Sequence, residues 1–374
     1  MTKCAELANL IGNINAGGGG AYRNVIGNGA MTCSQRGASF NQPADGAYTL
    51  DRFFTFRNGE GIMDVEQSTT VPSGEGFKNS LKCTVDTVDT SLDSNDFGGL
   101  GTKVEGQDLA SFHFGQATAK QFVLSFFVRS NITGTYSVSF RNGSANRYLV
   151  KEYTISSADT WQKVTITNLA DTTGTWATDN TTGLDIRFCL WSDGDFDASA
   201  SSSWATGNII GSSSNVNWAT STSNSFYLTG VQLEVGQNPT IFEHINNFGE
   251  ELARCQRYFH AVSGAGHPFP IDSAYARYIT HGQDSNGTRW FYEYPVEMRA
   301  IPTLELNNIS SSTVQHYNYN ASASYNMTGS SLEESGTRHA HIRFTFASGI
   351  SVGNTVSWRW LNNPNASFNF SSEL

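Results

Sequence analysis

Three acidic residues in one loop could bind a hard cation. In the stretch "WSDGDFD", Asp193, Asp195 and Asp197 alternate around a glycine and offer carboxylate oxygens of the kind that calcium prefers. The loop lacks the distal glutamate and the spacing of an EF-hand, so a solvated acidic loop is the alternative interpretation. We expect no cofactor other than a structural calcium at this loop.

Two histidines in "RHAHIRF" form the second candidate metal site. On a β-strand, His339 and His341 would point to the same face. If three copies of the chain met on an axis, their imidazoles could form an octahedral site for a transition metal. In a monomer, the same residues would belong to an exposed polar face.

Aromatic side chains provide a different chemistry, because their faces stack on the apolar faces of sugar rings. Neighbouring Asn, Asp and Ser side chains can bind the sugar hydroxyls. Packing in a core or at a subunit interface is the alternative for each aromatic residue. The candidates for glycan binding lie in or beside a long polar loop and in the C-terminal part: Trp191, Trp204, Trp218, Trp290 and Trp358.

Catalytic signatures are missing from the sequence. We find no nucleophile elbow, P-loop, HExxH motif or catalytic triad pattern. A glycan depolymerase would need two carboxylates about 5–10 Å apart, and the sequence nominates no such pair. We therefore expect no catalytic residues and a protein that is not an enzyme.

Composition excludes several classes of partner. The net charge of −10 repels phosphate backbones, which argues against nucleic-acid binding. The longest apolar run, "FVLSFFV", is far shorter than the ~20 residues that span a bilayer, and the N-terminus lacks the apolar core of a signal peptide. The cysteines show no metal-ligand spacing and are read as reduced thiols of a protein made in cytoplasm: Cys4, Cys33, Cys83, Cys189 and Cys255.

The elements that position these residues are predicted to be strands. "TYSVSFRNG" and "LDIRFCLW" alternate apolar and polar residues, and Asn142-Gly143 predicts a hairpin turn. "FVLSFFVR" is apolar on both faces, which predicts a central buried strand. Strands and turns without alternating helices predict an all-β chain, with a jelly-roll-like β-sandwich over residues 21–246 and a second β-sandwich over 261–374.

An anchoring helix is predicted at the N-terminus, within residues 1–20. Leu7, Leu10, Ile11 and Ile14 recur at helical spacing and form one apolar stripe. The glycines at 17–20 would then act as a flexible tether. A helix this short is marginal alone, so it would dock onto another protein or bundle with copies of itself. A frayed or locally packed helix is the alternative.

A second short helix is predicted between the two sandwiches, over residues 247–260. It follows the strand "YLTGVQLEVG", which Gly236 and Pro239 end. In "GEELARCQRYF", Leu252, Cys255 and Phe259 are expected on one helical face. We interpret this segment as the joint between two β-domains and as a candidate contact between subunits.

Several motifs resemble a family of bacteriophage tail-fibre and appendage proteins. "NVIGNGAMTCSQRGASF" followed by "YTLDRFFTF" is similar to the family's opening, and "KVEGQDLA", "TWQKVTI", "FYLTGVQLEVG" and "ELARCQRYF" follow in the family's order. "KCAELANLI" at one end and "PVEMRAIPTLEL" and "SEL" at the other extend the resemblance over nearly the whole chain. The runs "CSQRG" and "DRFF" depart slightly from the usual pattern. These motifs are specific in combination, and none is catalytic.

The resemblance implies a virion protein, made in the host cytoplasm, with a carbohydrate-binding-module-like jelly roll. Its implied partners are copies of itself in a homotrimer, other virion proteins at the N-terminus, and a host-surface glycan. Two hypotheses follow. The chain is a tail fibre that contacts host glycans through its β-domains, or it is a non-receptor structural protein such as a capsid decoration, head fibre, collar or connector component.

Overall fold

A computed structural model describes residues 3–13, 23–244, 247–263, 279–281, 286–307, 314–346, 348, 350–353, 355–360 and 367–374 of the chain. Contacts divide the chain into two compact units, Met1–Glu251 with Leu374 as unit 1 and Leu252–Glu373 as unit 2. Within the described part, no helix is long and apolar enough to cross a bilayer. Each unit is built from packed β-sheets, which confirms the predicted fold class of an all-β chain with two β-sandwiches.

Unit 1 begins with helix α1 (Lys3–Asn13), and the start of helix α2 (Phe248–Gln256) lies at its end. Its strands are β1 (Ser39–Phe40), β2 (Phe53–Asn58), β3 (Ile62–Ser68), β4 (Ser80–Thr87), β5 (Phe97–Glu105), β6 (Phe122–Ser130), β7 (Gly134–Asn142), β8 (Arg147–Ile155), β9 (Gln162–Ile166), β10 (Thr182–Ser192), β11 (Asp197–Ala198), β12 (Ala205–Thr206), β13 (Gly211–Ser212) and β14 (Ser225–Val235).

Two antiparallel sheets form the sandwich of unit 1. Sheet 1 has the order β1-β3-β4-β14-β6-β9, and sheet 2 has the order β12-β8-β7-β10-β5-β2. Aromatic rings join them across the core. Phe126 of β6 lies 5.1 Å from Phe188 of β10 and 5.3 Å from Tyr153 of β8, between ring centroids. The apolar face of each strand is therefore buried against the opposite sheet.

The strands of unit 1 follow the sequence pattern closely. β6 lies between β14 and β9 and is buried along nearly its whole length, which confirms the prediction for "FVLSFFVR". Asn142 and Gly143 begin the turn that joins β7 to β8, where Arg141 pairs with Tyr148. Strands buried on both faces need apolar residues at consecutive positions, and β6 supplies them.

A β-bulge breaks the alternation at the end of β10. The register against β5 shifts between Cys189 and Trp191, so Leu190 and Trp191 both belong to the core. Trp191 stacks on Trp218 with ring centroids 6.2 Å apart, and both side chains are fully buried. The prediction that these two tryptophans bind glycans is wrong for this reason, since a sugar cannot reach either ring without opening the core.

The long polar loop after β10 covers the outer face of sheet 2. Ser139 Oγ donates to the carbonyl of Ile209 at 2.7 Å, and Ser212 N donates to Ser137 Oγ at 3.0 Å. The serines of β7 that alternate with its apolar residues are therefore buried rather than solvated. The hydroxyl groups of these β7 serines satisfy backbone groups of the loop that the burial removes from water.

A buried ion-pair network lies on the same outer face. Arg141 Nη2 lies 2.5 Å from Asp185 Oδ2, and Arg187 Nε lies 3.1 Å from the same oxygen. The side chains of Arg141 and Asp185 are 4% and 7% exposed. Burial raises the pKa of Asp185, but the guanidinium groups of Arg187 and Arg141 outweigh it, and the pKa lies below its ordinary value.

Replacing Asp185 should destabilise unit 1 strongly. We expect Asp185→Asn to lower the free energy of unfolding by about 3–5 kcal/mol at neutral pH, because it leaves two guanidinium groups without their buried counter-charge. A lowered folded-state pKa means that this stabilisation is present above the unfolded value of 3.8. It is lost as the pH falls through the lower folded value. Urea unfolding of the full chain at neutral pH and near pH ~3 measures both effects.

Asp159→Asn is the matched control. Asp159 pairs with Arg129 at 2.9 Å, but its side chain is 56% exposed, so its loss should cost no more than about 1 kcal/mol. Equal losses in the two variants at neutral pH, or a difference that does not shrink between neutral pH and pH ~3, would contradict the account of Asp185.

Unit 2 contains the end of α2 and a second set of strands. These are β15 (Phe259–Ser263), β16 (Ile279–His281), β17 (Gly287–Glu293), β18 (Thr303–Asn307), β19 (Val314–Asn318), β20 (Ala323–Ser335), β21 (His339–Phe346), β22 (Thr355–Trp360) and β23 (Ser367–Ser371). Sheet 3 has the order β15-β23-β18, and sheet 4 has the order β16-β22-β19-β20-β21-β17.

The core of unit 2 lies between sheets 3 and 4. Phe344 of β21 lies 5.3 Å from Phe368 of β23, between ring centroids. Ile342 and Met327 of sheet 4 and Phe370 of sheet 3 are buried in the same cluster. Among the residues that the structure describes, the second sandwich buries fewer large side chains than the first.

The structure corrects one residue of the predicted linker helix. Helix α2 ends at Gln256, and Phe259 is the first residue of β15, where it pairs with Ser371. Leu252 is half-buried and Cys255 is buried on the helix itself. Phe259 is fully buried because it belongs to a sheet, so it does not share a helical face with the other two residues.

Candidate functional site

Trp204 lies in a half-buried aromatic cluster of unit 1. Its ring packs edge-on against Trp176 at 5.0 Å, and Trp176 stacks on Phe114 at 4.4 Å, between ring centroids. Trp204 Nε1 donates to the carbonyl of Leu169 at 3.0 Å, and Trp176 Nε1 donates to Asp171 Oδ2 at 3.2 Å. Both indole N–H groups are thus used within the protein, and the rings mainly hold loops together.

The three aspartates of the predicted calcium loop lie at a short 3-10 turn and at the start of the strand that follows it. Asp193 Oδ1 accepts a hydrogen bond from the backbone of Gly194 at 2.8 Å and so begins a short 3-10 turn. Burial, and then the charge of Asp193, raises the pKa of Asp197. Of the residues that the structure describes, Asp193, Asp195 and Asp197 do not bring three ligand atoms within 4.8 Å of one another.

The C-terminal tryptophans do not form an exposed platform among the described side chains. Trp290 packs against the core of unit 2, with its ring centroid 6.2 Å from Phe368 and 6.5 Å from Phe344. Trp290 therefore faces inward, and its predicted role in glycan binding is corrected. Trp358 lies in β22, but its side chain is outside the described part of the structure.

The neighbour of Trp290, Phe291, is an exposed aromatic residue of unit 2. Strand β17 alternates, so Trp290 and Tyr292 point inward while Arg289, Phe291 and Glu293 point to solvent. Phe291 is 52% exposed, which is unusual for so large an apolar ring. Phe291 is not among the candidates predicted from the sequence, all of which are tryptophans. The signal in the sequence is that, among alternate residues of this strand, an aromatic residue stands between two charged residues.

Two imidazoles flank the Phe291 ring. His339 and His341 lie on the same face of β21, with ring centroids 5.8 Å apart. Phe291 pairs directly with His341 across the sheet, and Glu293 pairs with His339. The ring centroid of Phe291 lies 5.5 Å from His339 and 5.1 Å from His341. The three rings therefore form one continuous aromatic surface.

A β-bulge in β20 adds two carboxylates to this surface. The register against β21 shifts between Leu332 and Ser335, so that Glu333 and Glu334 occupy the bulge. A bulge re-aims side chains that regular pairing would place on opposite faces. Glu334 Oε2 lies 3.6 Å from His341 Nδ1. The sequence showed the two glutamates, but it could not show the extra residue in the strand.

Glu333 joins two arginines at one end of the surface. Arg289 and Arg343 are direct partners across β17 and β21, and like charges in such a pair repel. Glu333 hydrogen-bonds to Arg289 Nε and lies 3.5 Å from Arg343 Nη1. The carboxylate therefore offsets the repulsion. We call this surface the Phe291 face, and its members are Arg289, Phe291, Glu293, Glu333, Glu334, His339, His341 and Arg343.

A shallow hollow borders the Phe291 face. Glu293 and His339 line it together with Pro295, Glu297 and Arg338. Arg338 donates to Glu297 at 2.7 and 3.2 Å, and this hydrogen bonding lowers the pKa of Glu297. Both side chains are well exposed, at 77% and 48%, so the pair adds little to stability.

The Phe291 face has the chemistry of a sugar-binding surface. An exposed ring offers a plate for the apolar face of a pyranose. Guanidinium and imidazole N–H groups donate, and carboxylates accept, the hydrogen bonds that hydroxyl groups need. All of these groups lie on adjacent strands of one sheet, which fixes their spacing before a ligand arrives.

No protein-family model and no curated protein matches this sequence. Among solved structures, the chain is similar to the enzymatically active domain of tailspike protein 4 from bacteriophage CBA120, at 11% identity and a TM-score of 0.29, covering 52% of this chain and 21% of that chain. It is also similar to a family 11 carbohydrate-binding module of a cellulosomal cellulase from Clostridium thermocellum (10% identity, 55% and 98% coverage, TM-score 0.28). A third is a putative sugar-binding protein from Bacteroides thetaiotaomicron (12% identity, 57% and 100% coverage, TM-score 0.29). At such scores the likeness carries no argument, and the sheets described above define the fold.

Adjacent alanine substitutions test the orientation of β17. Trp290→Ala should lower the free energy of unfolding by up to about 3 kcal/mol, because it removes a ring from the core. Phe291→Ala should change it by less than about 0.5 kcal/mol, because the ring is largely solvated. Thermal unfolding of the full chain measures both. A larger loss for Phe291→Ala than for Trp290→Ala would contradict the assignment of faces.

Proposed function

We propose that this chain is a bacteriophage virion protein, a tail fibre that attaches by its N-terminus and contacts host-surface glycans through its β-units. The sequence resemblance over nearly the whole chain supports the virion role. The Phe291 face supports glycan contact. The single observation that carries the second part is an aromatic ring, 52% exposed, set in a rim of charged and imidazole side chains.

Exposure of Phe291 needs a physical reason. An apolar ring left in water forgoes the roughly 25 cal/mol per Å² that burial of its surface would contribute. The residues next to Phe291 on the solvent face of β17 are charged. Neither burial in a core nor a simple polar surface therefore explains an apolar ring at this position. Contact with the apolar face of a sugar ring would recover part of this energy, and the rim would select the pattern of hydroxyl groups.

The same face favours binding without catalysis. Hydrolysis of a glycosidic bond needs one carboxylic acid that can donate a proton and one free carboxylate. Arg289 and Arg343 both approach Glu333, so this carboxylate is already held by two partners within the face. The sequence nominates no such pair of carboxylates, and we propose that the chain is not an enzyme.

Helix α1 supports attachment through the N-terminus. Leu7 and Ile11 are 57% and 49% exposed, and Leu10 is half-buried. Glu6 accepts a hydrogen bond from the backbone of Ile241 in unit 1. An 11-residue helix with an exposed apolar stripe gains stability by docking, and we propose another virion protein as its partner. Ile14 and the glycines at 17–20 lie outside the described residues.

A structural role without a receptor is the second candidate function. Unit 1 exposes further large apolar side chains at Ile241 and Phe248, at 61% and 59%. Such residues suit permanent contacts inside a particle as well as contacts at its surface. The structural calcium at the acidic loop and the transition-metal site of His339 and His341 on a trimer axis both stay predictions.

Binding to host glycans tests the function directly. We expect the purified full chain to bind host cells or their lipopolysaccharide, and to bind defined sugars on a glycan array. Phe291→Ala should weaken binding by about tenfold or more, equivalent to ~1.4 kcal/mol, through loss of ring stacking. Tyr319→Ala, at another exposed ring of unit 2, is the control and should bind like the wild type. Binding that is absent, or that falls equally in both variants, would favour the structural role.

Mass measurement in solution tests the proposed trimer. We expect sedimentation equilibrium to give three times the chain mass, because α1 and the exposed apolar side chains of unit 1 are poorly buried in a single chain. Leu7→Asp combined with Ile11→Asp reports whether α1 contributes, and Ala5→Asp on the opposite side of the helix is its control. A stable single chain with an intact N-terminus would refute the trimer.

A further inference from the structure

We propose that the hollow beside the Phe291 face binds a second sugar ring, so that this face takes a glycan chain of at least two linked sugars. The second ring adds a subsite to the proposed glycan contact, on which this proposal rests. The hollow lies where β17 ends, and its volume of about 570 Å³ is that of a small-molecule site. Glu293 and His339 belong both to the Phe291 face and to the lining of the hollow.

An unsatisfied hydroxyl group in the lining points to a ligand. Tyr294 lines the hollow and is only 8% exposed. Its hydroxyl oxygen is buried and has no hydrogen-bond partner among the residues that the structure describes. Buried polar groups in folded proteins are almost always paired, and a hydroxyl group of a ligand in the hollow would supply the missing partner. Burial also raises the pKa of Tyr294, so the phenol keeps its proton as a hydrogen-bond donor.

Backbone hydrogen bonds shape the hollow before a ligand arrives. Tyr294 N donates to the carbonyl of Arg338 at 2.9 Å, and Met298 N donates to the carbonyl of Thr337 at 2.7 Å. The segment that follows β17 is therefore held along the turn that precedes β21. A site whose shape is already fixed loses less conformational entropy when it binds.

The lining combines apolar surface with hydrogen-bonding groups. Pro295 and Val296 supply the apolar part, while Glu293, Glu297 and Arg338 supply acceptors and donors. Arg338 donates from Nε and Nη2 to Glu297, and a guanidinium group has five N–H donors in all. N–H groups of Arg338 therefore remain for sugar hydroxyl groups. A sugar ring suits such a lining, because it presents both apolar faces and a polar edge.

The hollow and the Phe291 ring are close enough for two linked sugars. Phe291 and Glu293 project from the same side of β17, two residues or about 7 Å apart. The His339 ring lies 5.5 Å from the Phe291 ring, between ring centroids, and also lines the hollow. A sugar stacked on Phe291 therefore has its neighbour at the mouth of the hollow. A single sugar fills only one of the two places, so affinity should rise from one ring to two.

Titration calorimetry with sugars of different length tests the subsite. A glycan array of defined mono-, di- and trisaccharides identifies the disaccharide that the full chain binds best, and this disaccharide is compared with its own monosaccharides. We expect at least about tenfold tighter binding of the disaccharide, equivalent to ~1.4 kcal/mol. Arg338→Ala should remove most of this gain and leave binding of the monosaccharides unchanged, whereas Phe291→Ala should weaken binding of both lengths.

Tyr294→Phe separates ligand binding from folding. The substitution keeps the ring in the core of unit 2 and removes a hydroxyl group that has no partner in the described part of the chain. We expect disaccharide binding to fall about fivefold, as for the loss of one hydrogen bond, with an unchanged free energy of unfolding. Tyr136→Phe is the matched control. The Tyr136 hydroxyl donates to the carbonyl of Ile132 at 2.9 Å in unit 1, so this variant should lose stability and keep its affinity.

Three results would overturn the subsite. The first is equal affinity for the disaccharide and its monosaccharides. The second is disaccharide binding that neither Arg338→Ala nor Tyr294→Phe weakens. The third is a loss of stability in Tyr294→Phe as large as that in Tyr136→Phe. In each case the glycan contact itself stands if Phe291→Ala weakens binding, whereas a wild-type chain that binds no glycan on the array and no host cell overturns both proposals.

Discussion

The alternation of side chains along β-strands is the constraint on which both units depend. Because successive residues point to opposite faces, one extra residue in a strand moves a side chain from one environment to another. In unit 1, the bulge at the end of β10 carries Trp191 into the core. In unit 2, the bulge in β20 brings Glu334 beside His341 at the surface. The same local device thus removes one aromatic residue from solvent and creates a polar cluster elsewhere.

Two charged networks show how environment changes the role of similar residues. Arg141, Asp185 and Arg187 lie under the long loop of unit 1, where their charges neutralise one another away from water. Arg289, Glu333 and Arg343 form a comparable triad on an open sheet surface. Solvent weakens each pair in the second network, so its side chains can exchange partners when a ligand arrives. Burial makes the first network a structural element instead.

The sequence predicted the architecture well because strand periodicity is a strong signal. The buried strand β6, the hairpin that begins at Asn142 and the helix α1 follow directly from local patterns. The secondary structure of a residue could not be predicted where pairing with a distant strand determines it. Phe259 follows helical spacing from Cys255, yet pairing with Ser371 makes it part of a strand.

The candidate site was harder to predict than the fold. Tryptophan is a sound first guess for sugar binding, but Trp191, Trp218 and Trp290 also supply the largest volumes available to fill a core. Phe291 carries a weaker signal, since only its position between two charged residues sets it apart. The pairing of β17, β20 and β21, which gathers the Phe291 face from distant parts of the chain, leaves no trace in local sequence.

The solvent exposure of Phe291 and its neighbours has an evolutionary consequence. Most exposed side chains can be replaced with a change in stability below about 0.5 kcal/mol, while the inward residues of the same strands hold sheet 4 on sheet 3. The surface can therefore accumulate substitutions one at a time without unfolding the chain. Variation of this surface is thus separable from the inheritance of the scaffold beneath it.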